Sequence, residues 1–178
     1  VHDFQVESTT GGASAQFTTT SGALSSTGTG TVTANSAAAS GGINLSSAGN
    51  LDTTGAVLSA RNNSAIGGVA TLGLSAAGEA DLGQAQVSAS GIATLTASGQ
   101  SGLAVLNDLS ASSTAGSAEV SLRSNGAITL DGDVNANAVT SSLVSAFAAD
   151  TFAVNGDIVA NGGSFAGIWL ASSRAMVS

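Results

Sequence analysis

The side chains with the clearest chemical potential are aspartates that recur at a nearly constant spacing. Asp108, Asp133 and Asp157 are separated by 25 and 24 residues, and Asp131, which aligns with Asn155, precedes Asp133 by two positions. In a stack of coils of that length, these carboxylates lie about 4.8 Å apart in neighbouring coils and repel one another. Because Ca²⁺ binds clustered carboxylates, one interpretation of the spacing is a calcium site formed by Asp108, Asp131, Asp133 and Asp157.

The same acids allow two alternative interpretations. Asp and Asn favour tight turns for conformational reasons alone, and we favour this interpretation because the calcium-binding nonapeptide repeat is absent. Carboxylates about 5 Å apart also suit a retaining glycosidase. A sugar-cleaving cleft needs aromatic and basic groups, whereas the chain has one Trp, three Arg and a single histidine, His2. We therefore expect that the chain is not an enzyme and has no catalytic residues.

The elements that must position these acids are indicated by a recurring motif, in which an aliphatic residue is followed two positions later by alanine. A faint first copy has serine in place of the alanine. The aliphatic positions are Val6, Val32, Leu58, Val87, Leu109, Val134 and Ile158, in steps of 26, 26, 29, 22, 25 and 24 residues. Self-similarity at such a period predicts stacked units, none of which can bury its own apolar face.

Aligned copies predict which residues face the core. Residues 128–137 align with residues 152–161 at an offset of 24, and residues 106–112 fit the same frame if the glycine of the turn is deleted. The expected inward rows beside the repeated motif are Leu82, Leu106, Leu130 and Val154, and then Leu45, Leu74, Leu95, Leu122 and Leu170.

The composition favours strands over helices or disorder. Apolar residues alternate in short runs such as Ile43/Leu45 and Ile128/Leu130, with turn signals such as Asn125-Gly126 between the runs. Proline, which would remove ladder donors, is absent. Only the Ala-rich stretch 140–149 suggests a turn of helix. The sequence therefore predicts an all-β fold, a right-handed parallel β-helix (β-solenoid) of about seven coils, with residues 1–178 forming a single segment.

Charge and hydropathy exclude several classes of partner. The net charge is −8, with eleven acids, three arginines and no lysine, which argues against nucleic acid. No run approaches the roughly 18 to 20 apolar residues of a membrane-spanning helix, so we expect no membrane insertion. The absence of cysteine excludes disulfides and thiolate metal sites. The acidity is compatible with an extracellular setting.

Two of the repeats resemble a known family. The sequences NGAITLDGDVNA at 125–136 and GGINLSSAGNL at 41–51 are similar to repeats of filamentous-haemagglutinin-like adhesins, which are exported by two-partner secretion. The resemblance extends from about Val32 onward. It implies a rod used in attachment, located outside the cell or on the bacterial outer surface, and it implies no catalytic residues. The chain lacks the amino-terminal secretion module of that family, so we expect a piece of a longer repetitive protein or a stacking subunit.

The functional expectation is therefore a structural or adhesive rod segment, and the alternative is a self-assembling filament subunit. The expected partners are a host or matrix receptor or glycan, or further copies of the chain, and no cofactor is expected apart from the calcium alternative. Trp169 lies between Ile168 and Leu170, so its indole faces outward if those residues face the core. Trp169 is thus a candidate for stacking on a sugar or a partner, although packing under a flanking coil is the more common role of a lone aromatic residue.

Overall fold

The protein folds as a stack of coils, each made of three short strands. The computed structural model describes residues 3–26 and 29–177, and His2 lies outside them. Within these ranges every regular element is a β-strand and no helix occurs. One circuit of the chain adds one strand to each of three sheets.

The strands of the described residues fall into three sheets of seven, and all pairings are parallel. The first sheet contains β1 (Asp3–Ser8), β4 (Gly30–Ser36), β7 (Ala56–Asn62), β10 (Gln84–Ala89), β13 (Leu109–Ser113), β16 (Val134–Ala138) and β19 (Ile158–Gly162). The second contains β2 (Ala13–Thr18), β5 (Ser40–Ser47), β8 (Val69–Ala76), β11 (Ile92–Gly99), β14 (Ser117–Ser124), β17 (Ser141–Ala148) and β20 (Phe165–Ser172). The third contains β3 (Leu24–Ser25), β6 (Leu51–Asp52), β9 (Glu79–Leu82), β12 (Gly102–Val105), β15 (Ala127–Leu130), β18 (Thr151–Val154) and β21 (Ala175–Val177).

This architecture confirms the predicted β-solenoid of about seven coils. Alternation along each strand sends every second side chain into the space between the sheets. The middle coils show the pattern clearly, since the alternate residues of β11 and β14 are almost fully buried. The interior is lined by Leu, Val, Ile and many Ala residues, and among the described side chains Phe152 is the largest that is fully buried. A narrow core of this kind suits a chain that has few aromatic residues.

The register of the first sheet corrects two copies of the repeated motif. Val6 pairs with Ala34, and Val87 pairs with Ala60 and Ala111, so both occupy the alanine position of the motif. The row in register with the aliphatic position of the motif is instead Phe4, Val32, Leu58, Ala85, Leu109, Val134 and Ile158. When Ala85 replaces Val87 in this row, the separation from Leu58 is no longer unusually long and the separation to Leu109 is no longer unusually short. The true spacing of the coils is thus more regular than the sequence alignment indicates.

The third sheet corrects the predicted row through Leu106. Val105 pairs with Leu130 and is fully buried, whereas Leu106 is 42% exposed. The turn from Val105 to Leu109 has the same length as the turn from Leu130 to Val134, so no glycine is deleted there. Asn107 occupies the position that Gly132 holds in the next coil.

The second sheet corrects one member of the remaining row and the suggestion of a helix. Ala97, and not Leu95, pairs with Leu74 and Leu122, while Leu95 pairs with Leu72 and Val120. The Ala-rich stretch 140–149 contains strand β17. Its alternate residues are buried, so stacking against β14 and β20 outweighs the modest helix propensity of the alanines.

Buried hydroxyl groups close the corner between the first and second sheets. Ser36 Oγ donates to the Gly11 carbonyl at 2.7 Å and accepts from the Ala39 N–H at 3.2 Å. Ser113 repeats the arrangement three coils later, donating to the Gly91 carbonyl at 2.6 Å and accepting from the Gly116 N–H at 2.9 Å. Each serine thus ties its own turn to the coil before it.

The described residues contain no helix with the length and apolar character that crossing a bilayer requires.

Candidate functional site

The aspartates singled out by their spacing occupy one turn, between the third and first sheets. Strands β12, β15 and β18 end at Val105, Leu130 and Val154, and a three-residue turn follows each. The last residues of these turns are Asp108, Asp133 and Asp157, which we call the aspartate column. Backbone bonds from Leu109 N to Asp133 O (2.9 Å) and from Val134 N to Asp157 O (2.8 Å) stack the turns directly.

Within the column, each side chain binds the backbone of the following coil. One carboxylate oxygen of Asp108 accepts a 3.3 Å hydrogen bond from the Asp133 N–H, and one of Asp133 accepts a 2.9 Å bond from the Asp157 N–H. A backbone donor thus faces the negative charge of each of these two carboxylates and offsets part of the repulsion between neighbouring coils. Asp108 and Asp157 are exposed, and Asp133 is half-buried, so water also screens the column.

Asp131 lies two residues from the column and has a different partner. The Asn155 side-chain amide donates a 2.7 Å hydrogen bond to its carboxylate, as their alignment in the sequence suggests. In the coil before, Leu106 holds the equivalent position. The neighbouring row therefore contains one carboxylate and one amide, and repulsion between carboxylates does not arise there.

The predicted calcium ligands lie in three neighbouring coils but are not gathered around one point. Among the residues described, no group of three or more His, Cys, Asp or Glu side chains is arranged so that it could hold a metal ion. Asp108, Asp131 and Asp133 each use a carboxylate oxygen in a hydrogen bond within the protein. Calcium binding at Asp108, Asp131, Asp133 and Asp157 stays an alternative to the favoured interpretation as turn residues, as does polysaccharide cleavage by this column.

A second acidic group, on the third sheet, does not emerge from the sequence patterns. Asp52 on β6 pairs in register with Asp81 on β9, and Glu79 lies two residues before Asp81 on the same face. Partial burial raises the pKa of Asp81, and the negative charges of Glu79 and Asp52 raise it further. The sequence contains a weak signal for this pair, because an apolar residue followed by Asp occurs in both Leu51-Asp52 and Ala80-Asp81. The coil between the two dipeptides is longer than the coils that follow, so their alignment is not evident from a constant spacing.

Trp169 projects outward from β20, in register with Ser145 on β17. The side chain is 66% exposed, so the predicted outward orientation is confirmed. Ile168 continues the inward row of Val144, which is fully buried, but Ile168 itself is 49% exposed in the last described coil. The role of Trp169 in stacking on a sugar or a partner stays a prediction.

Beside Trp169 lies a cation and aromatic pair that the sequence patterns also leave undetected. Arg123 on β14 pairs in register with Phe147 on β17, and the guanidinium carbon lies 5.8 Å from the centre of the phenyl ring. Attraction between a cation and an aromatic face is favourable at this distance. Together with Trp169 and Ser145, the pair borders a surface hollow of about 290 Å³. The signal in the sequence is that Arg123 and Phe147 are separated by the length of one coil.

No protein-family profile matches the chain, and no curated protein or solved structure is significantly similar to it.

Proposed function

We propose that this chain is a structural and adhesive rod segment of a secreted or cell-surface bacterial protein of the filamentous-haemagglutinin-like kind, with no catalytic role. The observation that supports the proposal is the unbroken stack. In the middle coils, strands such as β11 and β14 are paired on both sides. The row of buried residues Ile43, Leu72, Leu95, Val120 and Val144 joins one coil to the next without a gap. A continuous ladder of this kind resists bending and suits a spacer that presents its surface to another molecule.

The outward positions support a role in solvent. Along β11 and β14 the outward residues are Thr94, Thr96, Ser98, Glu119 and Ser121, together with Ile92, Ser117 and Arg123. Most are short and polar, and the net charge of −8 favours solubility. Attachment would use these outward faces and the turns, because the inward positions are fully occupied by the core.

The experiment is an attachment assay with the purified chain. Fluorescent beads coated with the chain are applied to cultured epithelial cells and to surfaces coated with extracellular matrix, and beads coated with albumin serve as the control. We expect the coated beads to adhere in a saturable manner, with soluble chain as a competitor. Adhesion no greater than that of albumin beads on every surface would contradict the proposal.

A filament subunit is the second candidate, and one observation favours it. In the last described coil, Ile168 occupies an inward position yet is 49% exposed. Any further coil stacked on β20, from the same chain or from a second copy, would cover this side chain. Electron microscopy and light scattering over a concentration series test this candidate. If the chain is a filament subunit, it forms fibres as its concentration rises, and the Ile168→Asp variant does not. A wild-type chain that stays monomeric at every concentration would refute this candidate.

A further inference from the structure

The outward face of the second sheet differs in charge from the rest of the molecule. Its seven strands contain one acid, Glu119, and one cation, Arg123, whereas the chain as a whole has a net charge of −8. The other acids lie on the remaining strands or in turns, among them the aspartate column and the pair Asp52 and Asp81. The second sheet is therefore the part of the surface where a negatively charged ligand meets the least repulsion.

The same face has a shallow channel parallel to the stack. The central outward column passes from Asn44 through Gly73, Thr96, Ser121 and Ser145 to Trp169. The small side chains in its middle leave two adjoining hollows of about 290 Å³ each, which share Ser121 and Arg123. Five steps of about 4.8 Å separate Asn44 from Trp169, so the channel is about 24 Å long. This length fits a linear polymer better than a single small molecule.

Arg123 is the charged group at the centre of this channel, and it has no acidic partner among the described residues. It forms no ion pair with any of them, and Glu119 lies four positions away along an extended strand, which is about 13 Å. Phe147 supports the guanidinium through its ring face. The side chain is exposed, so its N–H groups remain accessible to a ligand carboxylate, which a guanidinium binds through two parallel hydrogen bonds.

We propose that this channel binds a linear polysaccharide whose sugar rings bear carboxylates. The Arg123 guanidinium, held over Phe147, pairs with a carboxylate, and Trp169 supplies an apolar face for a sugar ring. The hydroxyls of Thr96 and Ser121 donate to sugar hydroxyls, while Ser145 Oγ, which donates to Ser121 Oγ at 3.2 Å, accepts from one. This inference rests on the proposed attachment function and names the class of ligand that is attached.

Two other classes of polymer fit the face less well. A peptide strand needs an open sheet edge, but β14 and β17 are paired on both sides and offer no free backbone groups. A nucleic acid binds chiefly through several cations that neutralise its phosphates, and this sheet has one. A polysaccharide gains most of its contacts from ring stacking and hydroxyl hydrogen bonds, so a single carboxylate pair at Arg123 is sufficient.

The single tryptophan makes the channel directly observable, since all indole fluorescence comes from Trp169. The full chain is titrated at low salt with hexagalacturonate, and maltohexaose serves as the neutral ligand. We expect a saturable change in the fluorescence of Trp169 with hexagalacturonate alone. Arg123→Gln should weaken the apparent affinity by at least about tenfold, because a charge-assisted hydrogen-bond pair is lost.

Two further variants sharpen the test. Arg61→Gln is the matched control, because Arg61 is also exposed but lies on the first sheet, where its Nε donates to Ser59 Oγ. We expect this variant to bind like the wild type. Trp169→Ala has no indole fluorescence, so its binding is measured by calorimetry. We expect this variant to bind hexagalacturonate several-fold more weakly than the wild type. Arg123 and Trp169 are both exposed, so their replacement should not disturb the core. A melting temperature equal to that of the wild type establishes that the Arg123→Gln and Trp169→Ala variants are folded.

Several results would overturn the proposal. They are the absence of a saturable signal at millimolar hexagalacturonate, an unchanged affinity in Arg123→Gln, an equal loss in Arg61→Gln, or equal binding of maltohexaose or dextran sulfate. The attachment assay and this titration test separate proposals, so either proposal can be refuted while the other stands. Beads that adhere while Arg123→Gln binds hexagalacturonate normally refute the channel and leave the attachment role standing, whereas binding without adhesion does the reverse.

Discussion

The backbone N–H of Asp157 donates a 2.9 Å hydrogen bond to the side-chain carboxylate of Asp133, one coil earlier in the stack. Asp133 makes the equivalent bond to Asp108 at 3.3 Å. Each turn is therefore fastened to the next by a side chain as well as by the strand ladder. An aspartate at this position is useful to the fold whether or not it binds a cation.

This arrangement predicts that calcium has little effect on stability. We expect the melting temperature to be the same in millimolar CaCl₂, in MgCl₂ and in EDTA, because the oxygens of Asp108 and Asp133 already accept hydrogen bonds. Asp133→Asn keeps an acceptor and removes one charge, so its free energy of unfolding should change by no more than about 0.5 kcal/mol. A rise in melting temperature that is specific to calcium and lost in Asp133→Asn would instead establish a calcium site.

The register of the third sheet predicts contrasting effects for two adjacent residues. Val105→Ala removes buried methyl groups and should lower the free energy of unfolding by about 2 kcal/mol. Leu106→Ala alters a side chain that is 42% exposed and should change it by less than about 0.5 kcal/mol. Urea unfolding followed by circular dichroism measures both. The opposite order would mean that Leu106 faces the core.

Close stacking of the turns predicts that Gly132 does not tolerate a side chain. A Cβ atom at Gly132 would overlap the backbone carbonyl of Asn107 in the preceding coil. We expect Gly132→Ala to lower the free energy of unfolding by about 1–3 kcal/mol, as overpacking does elsewhere. Gly102→Ala is the control, since its Cβ would have its nearest contact, the Glu79 Cγ, at an ordinary 3.6 Å. Equal losses in the two variants would exclude the stacked backbone as the cause.

The raised pKa of Asp81 predicts a defined pH dependence. Partial burial is its main cause, followed by the charges of Glu79 and Asp52. Because the folded state holds this proton more tightly than the unfolded state, the contribution to stability is fully present below the unfolded pKa of about 4. It is lost as the pH rises through the folded pKa.

Melting curves of Asp81→Asn test that sign. The variant should be more stable than the wild type at about pH 7 and no more stable at about pH 3. The gain should stay within the roughly 0–1 kcal/mol found for solvent-screened charges. Glu79→Gln should recover part of it. A variant that is less stable at neutral pH would show that the Asp81 carboxylate is favourable in the folded state.

The strands and their parallel stacking can be predicted from the sequence because alternation reports which face a residue occupies. A shift of two residues preserves that face, and periodicity cannot detect it. The motif misplaces Val87 for this reason. In its coil the pair Ala85 and Val87 reverses the order of large and small residues in Leu58 and Ala60, and this exchange keeps the core volume nearly constant.

The turns and the sites depend on information that alternation does not contain. Leu106 is aliphatic, which favours an inward position, but the strand ends at Val105 and the alternation ends with it. The aspartate column can be found in the sequence because its spacing is regular. Arg123 and Phe147 belong to different residue classes, so their one-coil separation does not stand out in the sequence, and the register of β14 and β17 is needed to show that they are neighbours.

The equivalence of the turns at Asp108 and Asp133 has an evolutionary consequence. Deleting residues 109–133 would remove β13, β14 and β15 as one coil. The deletion would join Asp108 to Val134, which keeps an Asp-Val junction because Asp133 precedes Val134 in the intact chain. Gain or loss of such a unit changes the reach of the molecule by about 4.8 Å and leaves the inward rows aligned. Length is thus a trait that recombination between repeats can adjust in whole steps, without a redesign of the interior.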